Sequence, residues 1–197
     1  MKKMMMICLL AVASVLTGSA QSVNDSKENP VLNAIMTRTS IRKYTDEPIS
    51  KTDIETLLRA GMAAPTAVNK QPWHFVAVTD KAKLKELAGN RGRMLEQCAV
   101  AIVVCGDLNK TLQGKAQEYW IQDCSAATQN ILLAAHALGL GAVWMGIAPI
   151  EDRILAVDRI LGLGEDLHSF ALVPVGYPAE SRPQQDRFQE ERIHWIG

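Results

Sequence analysis

The sequence predicts a single domain of the α+β class, or one built on a mixed α/β sheet. Three observations carry that expectation. Helical patterning comes first in the chain, and strand candidates alternating with helices follow. One stretch, 99–105, is apolar throughout (Ala-Val-Ala-Ile-Val-Val-Cys) and reads as a strand covered on both faces. The 197 residues are 48% hydrophobic and 21% charged, an ordinary composition for a chain with one sizeable core. Formal net charge is zero, so nothing attracts the chain to nucleic acid in general.

Taken in order, residues 21–29 are polar and read as a flexible lead-in to a domain spanning 30–197. Pro30 opens a helix with Val31, Leu32, Ile35 and Met36 on one face, ending near Thr37. Ser50 caps a second helix that runs to about Met62, and Pro65 lies beyond its end. A strand follows over 74–79, then a helix capped by Asp80 and ending near Ala88, then a short helical piece within 91–97. After the apolar strand, the longest helix is expected over 113–138, rich in alanine and ended by Gly139 and Gly141. A third strand over 142–145 is closed by Gly146. A helix from Pro149 to about Leu161 and a fourth strand over 168–176 complete the domain. The tail, 182–197, is polar but carries Phe188, Ile193 and Trp195, a pattern that predicts docking against something, such as a second subunit.

Residues 1–20 have the layout of a secretory signal peptide. Lys2 and Lys3 precede an apolar run over 4–16, and Thr17-Gly18-Ser19-Ala20 offers a cleavage site after Ala20. The run is short for a membrane span, so the expectation is an exported, periplasmic protein with no stable span after cleavage. Without the leader the expected location is the cytoplasm. Cys98, Cys105 and Cys124 form neither a paired framework nor a metal-binding spacing, and read as buried small hydrophobes.

Two segments carry the chemistry. Arg38-Thr39-Ser40-Ile41-Arg42 gathers guanidinium and hydroxyl donors, a set matched to the oxygens of a phosphate. Asn69-Lys70-Gln71-Pro72-Trp73 puts two carboxamides on a turn, and a carboxamide both donates and accepts, which suits the alternating edge of a flavin pyrimidine. Gly146 would allow close backbone approach of a ligand. Each segment alone also fits an ordinary turn or cap. No nucleophile elbow, His-Glu-x-x-His motif or Walker loop is present. Among carboxylates such as Glu118, Asp123, Glu190 and Glu191, the spacing singles out none. A chain without evident side-chain catalysts fits chemistry carried by a cofactor.

Together with Ala60-Gly-Met-Ala-Ala-Pro65, His74-Phe75, Gly139-Leu-Gly-Ala-Val-Trp-Met-Gly146, Asp186-Arg-Phe188 and Arg192-Ile-His194, these segments resemble the nitroreductase family of FMN-dependent oxidoreductases, over about residues 30–197. The resemblance implies a mixed, mainly antiparallel sheet flanked by helices, in an intertwined homodimer with FMN at the interface. It implies that Arg38, Thr39, Ser40 and Arg42 bind the flavin and its phosphate, with Arg187 of the tail reaching the phosphate. Asn69 and Gln71, with Ala67 through its backbone, would lie by the flavin pyrimidine and the dimer interface. Trp144, Met145 and Gly146 would lie against the ring system. Hydride would pass through flavin N5, with no catalytic side chain and with Arg42 as electrostatic support. The implied activity is ping-pong reduction of nitroaromatic, quinone or related small-molecule acceptors with electrons from NADH or NADPH. Dehalogenation, and flavin binding as a carrier or sensor without turnover, are the alternatives. The expected lid spans 89–98 and the start of the long helix, with Arg91, Arg93, Met94, Tyr119 and Trp120 as candidate lining.

Overall fold

The structure, a computed structural model, describes residues 29–89 and 92–197. The expected leader and Arg91 lie outside them. Helix α1 (Pro30–Thr37) is capped by Asn29, whose Oδ1 accepts from the N–H groups of Val31 and Leu32 at 3.0 and 3.1 Å. Asn29 therefore belongs to the helix and not to the lead-in, because its side chain satisfies two donors that the first turn leaves unpaired. Helix α2 (Lys51–Met62) starts where expected, with Ser50 Oγ accepting from Asp53 N at 3.0 Å. Strand β1 (Trp73–Val78), helix α3 (Lys81–Ala88), the single turn α4 (Met94–Gln97) and strand β2 (Val100–Asp107) follow. The long helix α5 covers Tyr119–Ala137. It begins later than expected. Gly114 takes the left-handed conformation (φ +63°) and opens a tighter 3-10 turn over Gly114–Glu118, so the α-helix is set up only at Tyr119.

The remaining elements are β3 (Gly141–Ala142), β4 (Met145–Gly146), α6 (Glu151–Leu161) and β5 (Leu167–Gly176). All described strand pairs are antiparallel, in the order β1-β2-β5-β3, with β4 also on β5. The expected third strand is thus two short pieces. Both keep one register, Gly141 opposite Gly176 and Met145 opposite Leu172. That register puts Val143, at the start of the gap, opposite Pro174, which has no N–H to give the ladder.

The sheet has a core on each face, which explains the unbroken apolar run of β2. Val100, Ile102 and Val104 point to the layer of α2 and α5, where Leu57, Cys124 and Ile131 wait. Ala101, Val103 and Cys105 point to the layer of α3, α4 and α6, against Leu84, Leu95 and Val157. The three cysteines are free and buried, and burial pushes the Cys98 and Cys105 thiols up to about 12. No helix among the described residues is long and apolar enough to cross a membrane.

Candidate functional site

The basic segment is built by backbone stitching. After α1 the chain runs extended along the sheet edge. Ile41 N donates to Ala142 O at 3.0 Å, Thr45 N to Tyr177 O at 2.9 Å, and Ala179 N to Lys43 O at 2.9 Å. Ile41 and Tyr44 face inward, and two glycines make room for them. A Cβ on Gly141 would lie 2.6 Å from Ile41 Cγ2, and one on Gly176 would lie 2.8 Å from Tyr44 Cβ. The Tyr44 hydroxyl reaches Ile41 O at 2.7 Å and Pro174 O at 3.1 Å, and burial holds it far above its ordinary pKa. With those two side chains turned inward, Arg42 and Lys43 between them are exposed. The Arg42 backbone N–H donates to Glu180 Oε1 at 2.7 Å, while Glu180 Oε2 accepts from Arg182 at 3.1 Å.

At the head of this segment Arg38, Thr39 and Ser40 are half-buried. Arg38 Nη1 is wholly buried and has no hydrogen-bond partner. An unpaired guanidinium N–H without water is costly, so the position calls for an acceptor from outside the chain. A phosphate oxygen fits that donor. Just before it, Thr37 Oγ1 lies 2.8 Å from His136 Nε2 on α5.

The amide loop is built differently. Three of its residues, none of them glycine, have positive φ: Val68 at +50°, Asn69 at +54° and Gln71 at +51°. For a β-branched residue such as Val68 this is a strained conformation. Side chains hold it there. Ala67 N donates to Asp123 Oδ1 at 2.7 Å, Gln71 N to Thr66 Oγ1 at 3.0 Å, and Gln71 Nε2 to Asn69 Oδ1 at 3.2 Å. The N–H of Ala67 is therefore engaged inside the chain. Asp123, on α5, is only 6% exposed, and burial raises its carboxyl pKa while the Ala67 N–H opposes that shift.

Of the third group, Trp144 sits in the gap between β3 and β4 and packs edge-on against Phe170 at 5.5 Å, which in turn meets Trp120 at 6.0 Å. Met145 packs toward the α3 and α6 layer. Gly146 is exposed, a Cβ there would meet nothing within 4 Å, and its carbonyl accepts from Arg153 at 3.2 Å. Arg187 lies on the exposed tail and donates to Gln185 at 3.5 Å. Among the described residues no hydrogen bond or ion pair joins Arg187, or the 66–72 loop, to the basic segment. The two anchors on α5, Asp123 and His136, are thirteen residues apart, which at 1.5 Å per residue separates them by about 20 Å.

The pattern that defines the Nitroreductase family matches residues 35–90 and 81–177. The chain belongs to the nitroreductase family. A protein of Archaeoglobus fulgidus, provisionally named as an NADH dehydrogenase/NAD(P)H nitroreductase, is 47% identical over 168 residues, which cover 83% of this chain and 95% of that protein. A solved structure from Parabacteroides distasonis, provisionally named in the same way, is 42% identical with a TM-score of 0.80, covering 86% of this chain and 99% of its own. A protein from Desulfovibrio desulfuricans, provisionally named a nitroreductase and solved with FMN, is 35% identical with a TM-score of 0.76, covering 86% of this chain and 98% of its own. The expected α+β fold with its antiparallel sheet is thus the fold of this family.

The relatives correct one expectation. They are named for a nicotinamide donor, a cytoplasmic cofactor that an exported enzyme would not meet, so the periplasmic location is withdrawn.

Three residues around this candidate site were not singled out by the sequence. Asp123 shares the buried stripe of α5 with Ala127 and Ile131, and a carboxylate on such a stripe is a signal that could have found it. His136 lies one residue beyond Ala135 of that stripe. Glu180 carried no signal, because its contact with Arg42 spans 138 positions of sequence.

Proposed function

We propose that this protein is an FMN-dependent oxidoreductase that uses NADH or NADPH to reduce nitroaromatic, quinone or related acceptors, with donor and acceptor alternating at one open face. The observation that carries this reading is the buried, unpartnered Nη1 of Arg38 at the head of the phosphate-matched segment. Arg38, Thr39, Ser40 and Arg42 would hold the phosphate and the flavin, with Arg187 of the tail as a further contact. Bound there, the flavin supplies the hydride-accepting atom. Arg42 contributes an exposed cation to the same segment, its backbone pinned by Glu180, and a positioned charge of this kind is typically worth a few kcal/mol. Trp144, braced by Phe170, shields one side from water, with Met145 and Gly146 beside it.

The anchors of the amide loop and of the end of α1 lie about 20 Å apart along α5, so a second copy of the chain is proposed to bring its Asn69, Gln71 and Ala67 to the flavin. Exposed Val31, Ile35 and Met36 on α1, and an apolar groove of about 310 Å³ between α1 and α5, support that homodimer. Phe188 and Trp195 of the exposed tail give it further apolar surface to bury.

Purified protein supplied with FMN should hold it through gel filtration, show bands at the blue end of the visible range and elute as a dimer. NADH or NADPH without oxygen should bleach those bands, and a nitroaromatic should restore them. Flavin held without bleaching would overturn the enzymatic reading in favour of a carrier. No flavin uptake at all would overturn both.

A further inference from the structure

The contact between Thr37 and His136 has a definite proton arrangement. Thr37 Oγ1 lies 2.6 Å from the carbonyl of Asn33 and 2.8 Å from His136 Nε2. A hydroxyl has one proton to give. At 2.6 Å from a carbonyl oxygen that proton must lie between the two oxygens, since two lone pairs would otherwise face each other. Thr37 Oγ1 therefore accepts from His136, and the imidazole carries its proton on Nε2. Burial and then the nearby Arg38 charge lower the His136 pKa, which disfavours the doubly protonated ring. The result is a strut from the end of α5 to the last residue of α1. Arg38 follows immediately, and its backbone N–H still bonds to Ala34 O at 3.1 Å.

We infer that His136 is a positioning residue for flavin binding: through Thr37 it fixes the end of α1, and so sets the Arg38 guanidinium to receive the flavin phosphate. The inference rests on the FMN reading above. It assigns a task to a histidine that acts through Thr37 and Arg38, and it makes a selective prediction. Only ligands with a phosphate should sense the strut.

The test compares FMN with riboflavin, which lacks the phosphate, by fluorescence titration of the dimeric protein. His136→Ala should weaken FMN about tenfold, the scale of one hydrogen bond, and leave riboflavin unchanged. His136→Gln, whose amide N–H can occupy the Nε2 position, should restore FMN binding. Thr37→Val, which removes the acceptor, should reproduce the FMN-selective loss, and it carries the test if His136→Ala does not fold. Combined with His136→Ala it should add nothing further, as expected of two ends of one contact. Equal weakening of both flavins would show a merely structural role and overturn the inference, as would unchanged FMN affinity. If the unmodified protein binds neither flavin, the FMN reading itself fails and this inference with it.

Discussion

The two halves of the site are held by opposite means. The basic segment, 38–45, is part of the sheet edge: main-chain bonds to Ala142, Tyr177 and Ala179 fix it, and Gly141 and Gly176 let it lie flat. The amide loop, 66–72, meets the sheet only at its end, where Asp107 N donates to Pro72 O at 2.7 Å. It keeps three residues at positive φ, and the buried carboxylate of Asp123 and the hydroxyl of Thr66 hold it. The half proposed to grip a phosphate is thus built into the sheet edge, whereas the half that would meet the ring is a strained loop tied chiefly to a helix. Damage to the first should appear as lost stability. Damage to the second should appear mainly as lost flavin orientation.

The largest expected effect breaks the sheet-edge half. Gly141→Ala would place a Cβ 2.6 Å from Ile41 Cγ2 and 2.9 Å from Ile41 Cβ, and the latter is tied to the backbone and cannot rotate away. Overpacking of this kind costs about 3 kcal/mol, to be read as a lower midpoint in chemical denaturation with an unchanged slope. If Gly141→Ala is neutral, the segment is not seated as tightly as the stitching implies.

Next comes the tie of the loop. Asp123→Ala removes the acceptor of the Ala67 N–H. A hydrogen bond to a charged group is worth about 2 kcal/mol, and flavin fluorescence should report a more mobile ring at the same time. Asp123→Asn keeps an oxygen acceptor and separates geometry from charge. Burial raises the Asp123 carboxyl pKa, so folding disfavours its charged form. The stability linked to this group is full below its unfolded-state pKa, declines as pH rises through the raised folded value, and is flat above both. Asp123→Asn should therefore match the unmodified protein in acid and exceed it at neutral pH, in thermal melts across that range. An equal difference at every pH would remove Asp123 from the argument.

What could be read before any coordinates divides along the same line. Ser50 and Asp80 announced their helices because a cap is a local device, and β2 announced itself because a strand buried on both faces must be apolar throughout. Arg38, Ser40 and Arg42 stood out by donor chemistry alone. The late start of α5 was hidden because a single left-handed Gly114 overrides the helical pattern around it. The split of β3 and β4 was hidden because its cause, Pro174, lies on another strand. Asp123 and Glu180 act on partners 56 and 138 positions away, and no local pattern encodes such pairings.

A moderate effect tests the sheet-edge half from inside. Tyr44→Phe removes a hydroxyl that lies within reach of two buried carbonyls, Ile41 O and Pro174 O. Its single proton serves both, so the loss should be about 1 kcal/mol. Stability should fall with flavin affinity unchanged. A matching fall in affinity would mean that Tyr44 shapes the phosphate grip as well as the fold.

The smallest expected effect bears on the strain itself. Val68 is 78% exposed, so little of its side chain is packed within its own chain. Holding an L-residue in the left-handed region costs about 1–2 kcal/mol, and Val68→Gly would release that cost. Glycine, however, gains about 0.5–1 kcal/mol of entropy in the unfolded chain, which opposes the gain. The balance is a net stabilisation of about 0.5 kcal/mol, measurable as a small rise in denaturation midpoint. A rise would show the strain to be real and the loop to be held against its own preference by Asp123 and Thr66. A fall of more than about 1 kcal/mol is more than backbone entropy alone supplies. It would mean that the Val68 side chain is covered in the assembled protein, and the surface available to cover it is that of the second copy. That outcome would also appear as a lowered dimer affinity in sedimentation, and it would place the source of the loop's rigidity in the partner rather than in the chain that carries it.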